Sequence, residues 1–319
     1  MSVHRALAPA KINLGLFLGP PRAADGKHEL VTVMQSISLA DELTLGPAPP
    51  GTPDDEVLCP GVPGAPGSNL AAAALRAFRA STGWDGPPVR LTILKRIPLA
   101  AGLGGGSADA AAALRLARHA SGAGDEELLR RLGAELGADV PAQISPGRWL
   151  ASGAGEHLQQ LAAPSVPFGL LVLPLAAELS TAAVYAEADR LDLGCSPREL
   201  GERRRELRAA LEHGAPLPAA TELLHNDLQR AAVSLCPQIA DVLLQARQAG
   251  GDPALVSGSG PTVLALFGGG GRSTIDGPAL AEHAAAALRD RVPPAIFATP
   301  VDAAFGRAVT LEGSGSGSG

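Results

Sequence analysis

PLAAGLGGGSADAAAAL, residues 98–114, decides the fold. It follows Val89–Lys95, an apolar segment that reads as a strand. It runs into an Ala-rich stretch, Ser107 to about Ala120, that reads as a helix. Between them four glycines fall within five residues: Gly102, Gly104, Gly105 and Gly106. Glycines let the chain turn tightly and bring several N–H groups to one point. The helix N-terminus adds unpaired donors and a partial positive charge. Strand, glycine loop and helix in that order make an anion site, most naturally for phosphates. Ser107 stands at the predicted helix start. Its hydroxyl would bind a phosphate or Mg2+; alternatively it caps the helix and the glycines serve close packing. The pattern is neither common nucleotide motif. No Lys precedes Ser107 as in Gly-x4-Gly-Lys-Ser/Thr, and the Gly-x-Gly-x-x-Gly spacing ends in Ser.

Upstream, Ala8–Leu18 and Leu30–Leu39 read as strands around a turn at Pro20–Gly26, and Gly46–Gly67 as a loop crossing a short strand at Glu56–Cys59. Ser68-Asn69 can cap a helix through Ala80, and Asp125 one to about Leu136. Gly147–Leu161 looks like a hairpin. Beyond it the pattern predicts a strand at Phe168–Leu173 and helices at Thr181–Arg190, Pro197–Leu211, Thr221–Val233 and Pro237–Ala249. Strands at Ala254–Val256 and Thr262–Phe267, a helix at Pro278–Asp290, and strands at Ile296–Thr299 and Ala308–Leu311 complete it. A Pro-flanked segment near Ala162–Val166 is the expected boundary between domains at 1–162 and 163–312. Residues 313–319, GSGSGSG, have flexible-linker composition. Hairpins with segregated helices suggest an α+β fold rather than a doubly wound sheet.

Composition narrows the function. The chain has 319 residues, 46% hydrophobic but only 3% aromatic, so its core must be built from Ala, Leu and Val. A net charge of −6 argues against a nucleic-acid footprint. Cys59, Cys195 and Cys236 are odd in number and lack metal-ligand spacing, which favours a reducing cytoplasm over a disulfide framework. No apolar run approaches the roughly 18–20 residues of a membrane span, and Lys11 and Asn13 interrupt the stretch where a signal peptide would be apolar.

Three further segments carry polar groups in unusual places. In Ala8–Leu14, APAKINL, Lys11 and Asn13 point to one strand face, which is costly unless they face a site; an edge strand with a solvated Lys is the alternative. Asp139, in GADVP after a helix, fits a general base, a solvated turn or an N-cap. Val256–Val263, VSGSGPTV, is a second glycine turn, either a simple hairpin or part of a site. His28 lies in the turn DGKH at 25–28, while His119, His213 and His283 fall on helix faces among charges and are expected to be solvated.

Taken in order, APAKINL, ADGKHELVT, SNLAAAAL, PLAAGLGGGSADAAAAL, GADVPA and VSGSGPTV resemble the GHMP small-molecule kinases, from about Ala8 to Leu311. The resemblance implies an N-terminal α+β domain and a ferredoxin-like α+β C-terminal domain with substrate between them. It is strongest to members that use ATP to phosphorylate the 2-hydroxyl of diphosphocytidyl-methylerythritol, in the non-mevalonate route to isoprenoid precursors. It implies that Asp139 removes the hydroxyl proton while Lys11 stabilises the carboxylate and developing charge. Asn13 matches a substrate contact and His28 the residue that reads the cytosine edge. Gly102 to Ser107 match the phosphate loop, and Asn69, Leu70 and Lys95 the adenine pocket. Ser180 and Thr181 match a substrate-side polar pair, and Gly258 and Gly260 the motif that closes the site. Lys27 stands where the family usually has a cytosine-stacking Tyr. The one Tyr, Tyr185, lies in the second domain, so recognition is expected to rest on His28 and nearby backbone with weaker stacking. ATP and Mg2+, the latter at Ser107, are the implied cofactors. The expected partner is a small-molecule substrate, with neither nucleic acid nor membrane, and the chain a monomer or weak homodimer.

Overall fold

The computed structural model describes residues 2–62, 69–215, 217, 221–268, 276–288 and 294–311. Ser68, Asp290 and the tail 313–319, which the sequence placed in a cap, a helix end and a linker, lie outside the described residues.

Two strands much longer than their sequence signals organise the first half. β1 (Val3–Pro21) and β2 (His28–Pro47) form an antiparallel hairpin closed by Arg22 N–H donating to Lys27 O at 2.8 Å. Register shifts at Pro9/Lys11 and Asn13/Gly15 bend β1 on either side of Lys11 and Asn13, and such bulges re-aim side chains. β2 then serves two neighbours. Residues 42–47 pair with β4 (Val89–Leu94), and residues 30–35 pair with β5 (Arg148–Gly153), which continues to β6 (His157–Leu161). β3 (Glu56–Leu58) adds parallel to β4. The last strand of the chain, β11 (Val309–Leu311), returns to pair with β1 in this same seven-stranded sheet.

Helix α2 (Gly105–Ser121) packs on this sheet, and α1 (Leu70–Thr82), α3 (Glu126–Leu136) and the short α4 (Val140–Ile144) pack against α2. The caps read from sequence are present: Asn69 Oδ1 accepts from Ala71 N–H and Asp125 Oδ1 from Leu128 N–H, each at 2.8 Å. Ala108 and Ala110–Ala113 are fully buried, so α2 offers small side chains to Leu43, Leu91, Ile93, Leu75 and Phe78. This is how a core with few aromatics closes.

The second sheet has β7 (Gly169–Leu173), β8 (Ala254–Val256), β9 (Val263–Phe267) and β10 (Ile296–Ala298) in the spatial order β10-β7-β9-β8, all antiparallel. That is fourth-first-third-second, the ferredoxin-like arrangement expected. Helices α5 (Thr181–Arg190), α6 (Pro197–Leu211), α7 (Gln229–Leu235) and α8 (Gln238–Gln248) precede β8, and α9 (Gly277–Ala287) precedes β10. Ile12, Leu14, Val31 and Val33 of the first sheet share one core cluster with Leu170, Val172, Leu264 and Leu266 of the second.

Two sequence expectations fail locally. The helix predicted over Thr221–Val233 is broken: a 3-10 turn (Thr221–Leu223) is separated from α7 by His225-Asn226-Asp227. Those residues bond to β1 instead: Leu16 N–H donates to His225 O at 2.7 Å, and Leu18 N–H to Asp227 Oδ2 at 2.7 Å. Asn and Asp side chains compete with a helix for backbone partners, and here they win. His119 is also not merely solvated. It meets His4 edge-to-face at 5.0 Å and Thr310 Oγ1 at 3.1 Å.

Candidate active site

The glycine loop lies where β4 meets α2, but the helix begins two residues earlier than the sequence suggested. Gly104 is the N-cap at φ 68°, and no side chain caps the helix. Ser107 is therefore the third helical residue, not the cap. First-turn N–H groups free of a side-chain cap are what an anion needs. A Cβ on Gly104 would sit 2.9 Å from Lys11 Cγ, and one on Gly102 would sit 2.6 Å from Gly260 O. The loop is also tied on both sides. Lys11 N–H donates to Leu103 O at 2.9 Å, and the Thr262 hydroxyl donates to Ala101 O at 2.6 Å.

Beneath the loop the Lys95 ammonium donates to Asp41 and, at 2.7 Å, to Asp109. Asp41 also accepts the Arg96 and Ile97 N–H groups, which fixes the strand-to-loop turn. Burial opposes the Lys95 charge, but the two carboxylates outweigh it and hold its pKa above the usual range. Burial pushes Asp109 up to about 7 against the pull of Lys95. Lys95, Leu70, Ile97 and residues 98–107 line a cavity of about 250 Å3. Asn69 stays outside it, its Oδ1 committed to capping α1.

A second cavity, of about 290 Å3, shares Gly102 and Gly104 with the first. Its polar wall includes Lys11, Asn13, Thr32, Asp139, Thr181 and Ser259. Lys11 Nζ lies 3.5 Å from Asp139 Oδ2 and donates to Asn13 Oδ1 at 3.0 Å. Asn13 Nδ2 passes the chain on to Thr32 Oγ1 at 2.9 Å. Asp139 occupies the N-cap position of α4, but its side chain makes no capping bond. The Lys11 side chain is only 12% exposed, so it is no solvated edge lysine.

The remaining sequence candidates divide. Thr181 lines the second cavity and meets Ser259 Oγ at 3.1 Å, while Ser180 caps α5. Gly258 lines it too; Gly260 stands behind, packed against Gly102. Lys27 lies in the exposed hairpin turn, away from both cavities. His28 lies just beyond the wall. Its Nε2 is 2.8 Å from Asp189 Oδ1, and its ring centroid is 5.4 Å from that of Tyr185, which does line the cavity. Burial and then the nearby Asp139 raise the Tyr185 pKa.

Sequence reasoning missed Tyr185, Thr32 and Asn226. Tyr185 comes from α5, more than 150 residues after the turn it meets. Asn226 is buried and donates to both Val256 O and Gly258 O at 2.7 Å, so it holds the glycine turn after β8. Its signal was two Asx residues in succession inside a supposed helix.

Paired cavities meeting at a glycine loop, one with a Lys–Asp pair, define a small-molecule kinase of the GHMP class. The models of "GHMP kinases N terminal domain" and "GHMP kinases C terminal" match residues 69–147 and 204–293. The solved structure of a 4-(cytidine 5'-diphospho)-2C-methyl-D-erythritol kinase superposes with a TM-score of 0.73 at 34% identity, covering 93% of this chain and 98% of that one. A homoserine kinase from Cytophaga hutchinsonii superposes with a TM-score of 0.71 over 97% of this chain and 98% of its own, but at 15% identity it shares the fold alone. A 4-diphosphocytidyl-2-C-methyl-D-erythritol kinase from Kineococcus radiotolerans is 41% identical over 268 residues, 82% of this chain and 80% of that protein. The chain belongs to the 4-diphosphocytidyl-2-C-methyl-D-erythritol kinase family. No helix among the described residues is long and apolar enough to cross a membrane.

Proposed function

We propose that this protein transfers the γ-phosphoryl group of ATP to the 2-hydroxyl of 4-diphosphocytidyl-2-C-methyl-D-erythritol. The observation that carries the reading is the Lys11–Asp139 contact of 3.5 Å in a cavity that shares Gly102 and Gly104 with the glycine-loop cavity. Phosphoryl transfer depends mostly on positioning and charge stabilisation. Asp139, with no capping bond to hold it, accepts the proton of the attacking hydroxyl. Lys11 pairs with that carboxylate at 3.5 Å and offsets charge as it develops. Asn13, oriented by Lys11 and Thr32, and Thr181 position the alcohol. Tyr185 offers the ring face that Lys27 cannot, and His28 the hydrogen-bonding edge for cytosine.

The uncapped start of α2 receives the ATP phosphates, with Leu70 and the Lys95 stem beside the adenosine. Among the described residues no three His, Cys, Asp or Glu side chains could hold a metal ion. A nucleotide-borne Mg2+ fits that poverty, because Mg2+ keeps its waters and phosphates and asks one or two protein ligands; Ser107 would be one. Bound there, the ion would neutralise charge on the phosphate oxygens. The three free cysteines support a cytoplasmic setting, and the net charge of −6 a chain without a nucleic-acid partner. ADP release measured across this cytidyl substrate, homoserine, mevalonate and galactose tests the assignment. Turnover is expected with the first, and turnover with another at higher kcat/KM would replace it.

A further inference from the structure

A third cavity, of about 630 Å3, lies outside the two just described, between the C-terminal half of α2, the start of α3, the end of α4 and residues 303–308. Its charged walls are lopsided. Arg115, Arg118, His119 and Arg307 face it with one carboxylate, Glu126. Glu126 is already engaged: it pairs with Arg130 and accepts the Ser145 hydroxyl. Arg118 and Arg307 are exposed and make no ion pair among the described residues.

Arg115 is the unusual member. One end of its guanidinium donates to Gln143 O, the other to Leu7 O at 2.8 Å, and its buried Nε has no partner. No described carboxylate neutralises it, and burial pushes its pKa down to about 10. A buried charge without a counter-ion is costly, and an anion in the cavity would offset that cost.

The two carbonyls matter for catalysis. Leu7 precedes Lys11 by four residues on β1, and Gln143 follows Asp139 by four residues through α4. Gln143 Nε2 also donates to Pro9 O at 3.1 Å, so the two backbone segments are joined twice. Arg115 is thus a positioning residue standing between the cationic cavity and the segments that carry the Lys–Asp pair.

We propose that this cavity binds a diphosphate-bearing small molecule, and that its occupant alters the Lys11–Asp139 geometry through Arg115. Three arginines match the several negative charges of a diphosphate, and the His119 ring adds a hydrogen-bonding group. Leu129, Ile144 and Ala308 leave apolar wall for a small organic remainder. The ligand needs no covalent chemistry, only charge-assisted hydrogen bonds.

The test uses inorganic diphosphate as probe, the intact chain, and the double variant Arg118→Ala/Arg307→Ala. Both positions are exposed and outside the catalytic machinery, so folding and basal activity are expected to be unchanged. By calorimetry the wild type is expected to bind one more equivalent of diphosphate than the double variant, which keeps only the event at the glycine loop. Equal stoichiometry and affinity in the two proteins would overturn the site. At saturating ATP and fixed free Mg2+, diphosphate is expected to change kcat at least threefold in the wild type and not in the double variant. An unchanged kcat with the extra site filled would overturn the coupling.

Discussion

Gly104→Ala is the most informative substitution in the glycine loop. Gly104 is the N-cap of α2 at φ 68°, a left-handed conformation that costs a residue with a Cβ about 1–2 kcal/mol. The added carbon would also sit 2.9 Å from Lys11 Cγ, inside any normal contact. Lys11 cannot simply swing aside, because its ammonium is held by Asn13 at 3.0 Å and Asp139 at 3.5 Å. Relief therefore moves either the ammonium or the loop, by a few tenths of an ångström to about 1 Å. Displacements of about 1 Å at a reacting centre cost on the order of 10²-fold in rate. Gly104→Ala is expected to lower kcat by about 10- to 100-fold while the melting temperature falls by only a few degrees, at roughly 1.5 °C per kcal/mol for an unfolding entropy of about 2.1 cal/mol/K per residue. Gly106→Ala, in the same glycine loop, is the comparison for thermal stability and not for rate. A Cβ there meets only Leu70 Cδ1 at 3.7 Å, an ordinary contact, and Ala favours the helix. Steady-state kinetics with the cytidyl substrate, beside thermal melts, read both. A Gly104→Ala protein with kcat within twofold of wild type would refute the link between loop and lysine.

Other outcomes follow from the same geometry. Asp139→Asn is expected to lower kcat by about 10²-fold or more with little change in the ATP KM; near-normal kcat in a folded protein would remove Asp139 as the base. Tyr185→Ala is expected to raise the KM for the cytidyl substrate and leave the ATP KM alone, since base–aromatic stacking is worth roughly 1–3 kcal/mol; equal effects on both would show a general folding defect. Asp109 holds its proton up to about pH 7 in the folded state, well above its unfolded value, so the folded state binds more protons across that range. The sign is that wild-type stability falls as pH rises from about 4 to about 7, and Asp109→Asn is expected to lose less over that interval; parallel denaturant melts at several pH values would show the two curves diverging, and parallel curves would contradict it.

How much was legible in the sequence depended on how local the cause was. The glycine loop, the Asn69 and Asp125 caps and the Lys11/Asn13 alternation are set by neighbours in the chain, and all could be seen. Ser107 was misplaced by two residues because Gly104, as a left-handed cap, lets α2 start inside the glycine run. The contact between Lys11 and Asp139 joins a bulged strand to the start of α4, 128 positions later, and only order and resemblance pointed to it. Tyr185 beside His28 and Asn226 under the β8–β9 turn are products of tertiary packing between elements distant in sequence, and no periodicity reports such a meeting. β1 and β2 extend past their sequence signals because β2 changes partners midway, from β5 over residues 30–35 to β4 over residues 42–47, while β1 follows it along the hairpin.

The most direct test is the chemical identity of the product. The purified protein is incubated with ATP, Mg2+ and 4-diphosphocytidyl-2-C-methyl-D-erythritol labelled with carbon-13 in the erythritol, and followed by phosphorus and carbon NMR. The expected result is one new phosphomonoester resonance coupled to carbon 2, formed in step with ADP, and absent with Asp139→Asn on the same timescale. ADP formed without that coupling, or a phosphomonoester on another hydroxyl, would contradict the assignment of Lys11 and Asp139 to transfer at the 2-hydroxyl.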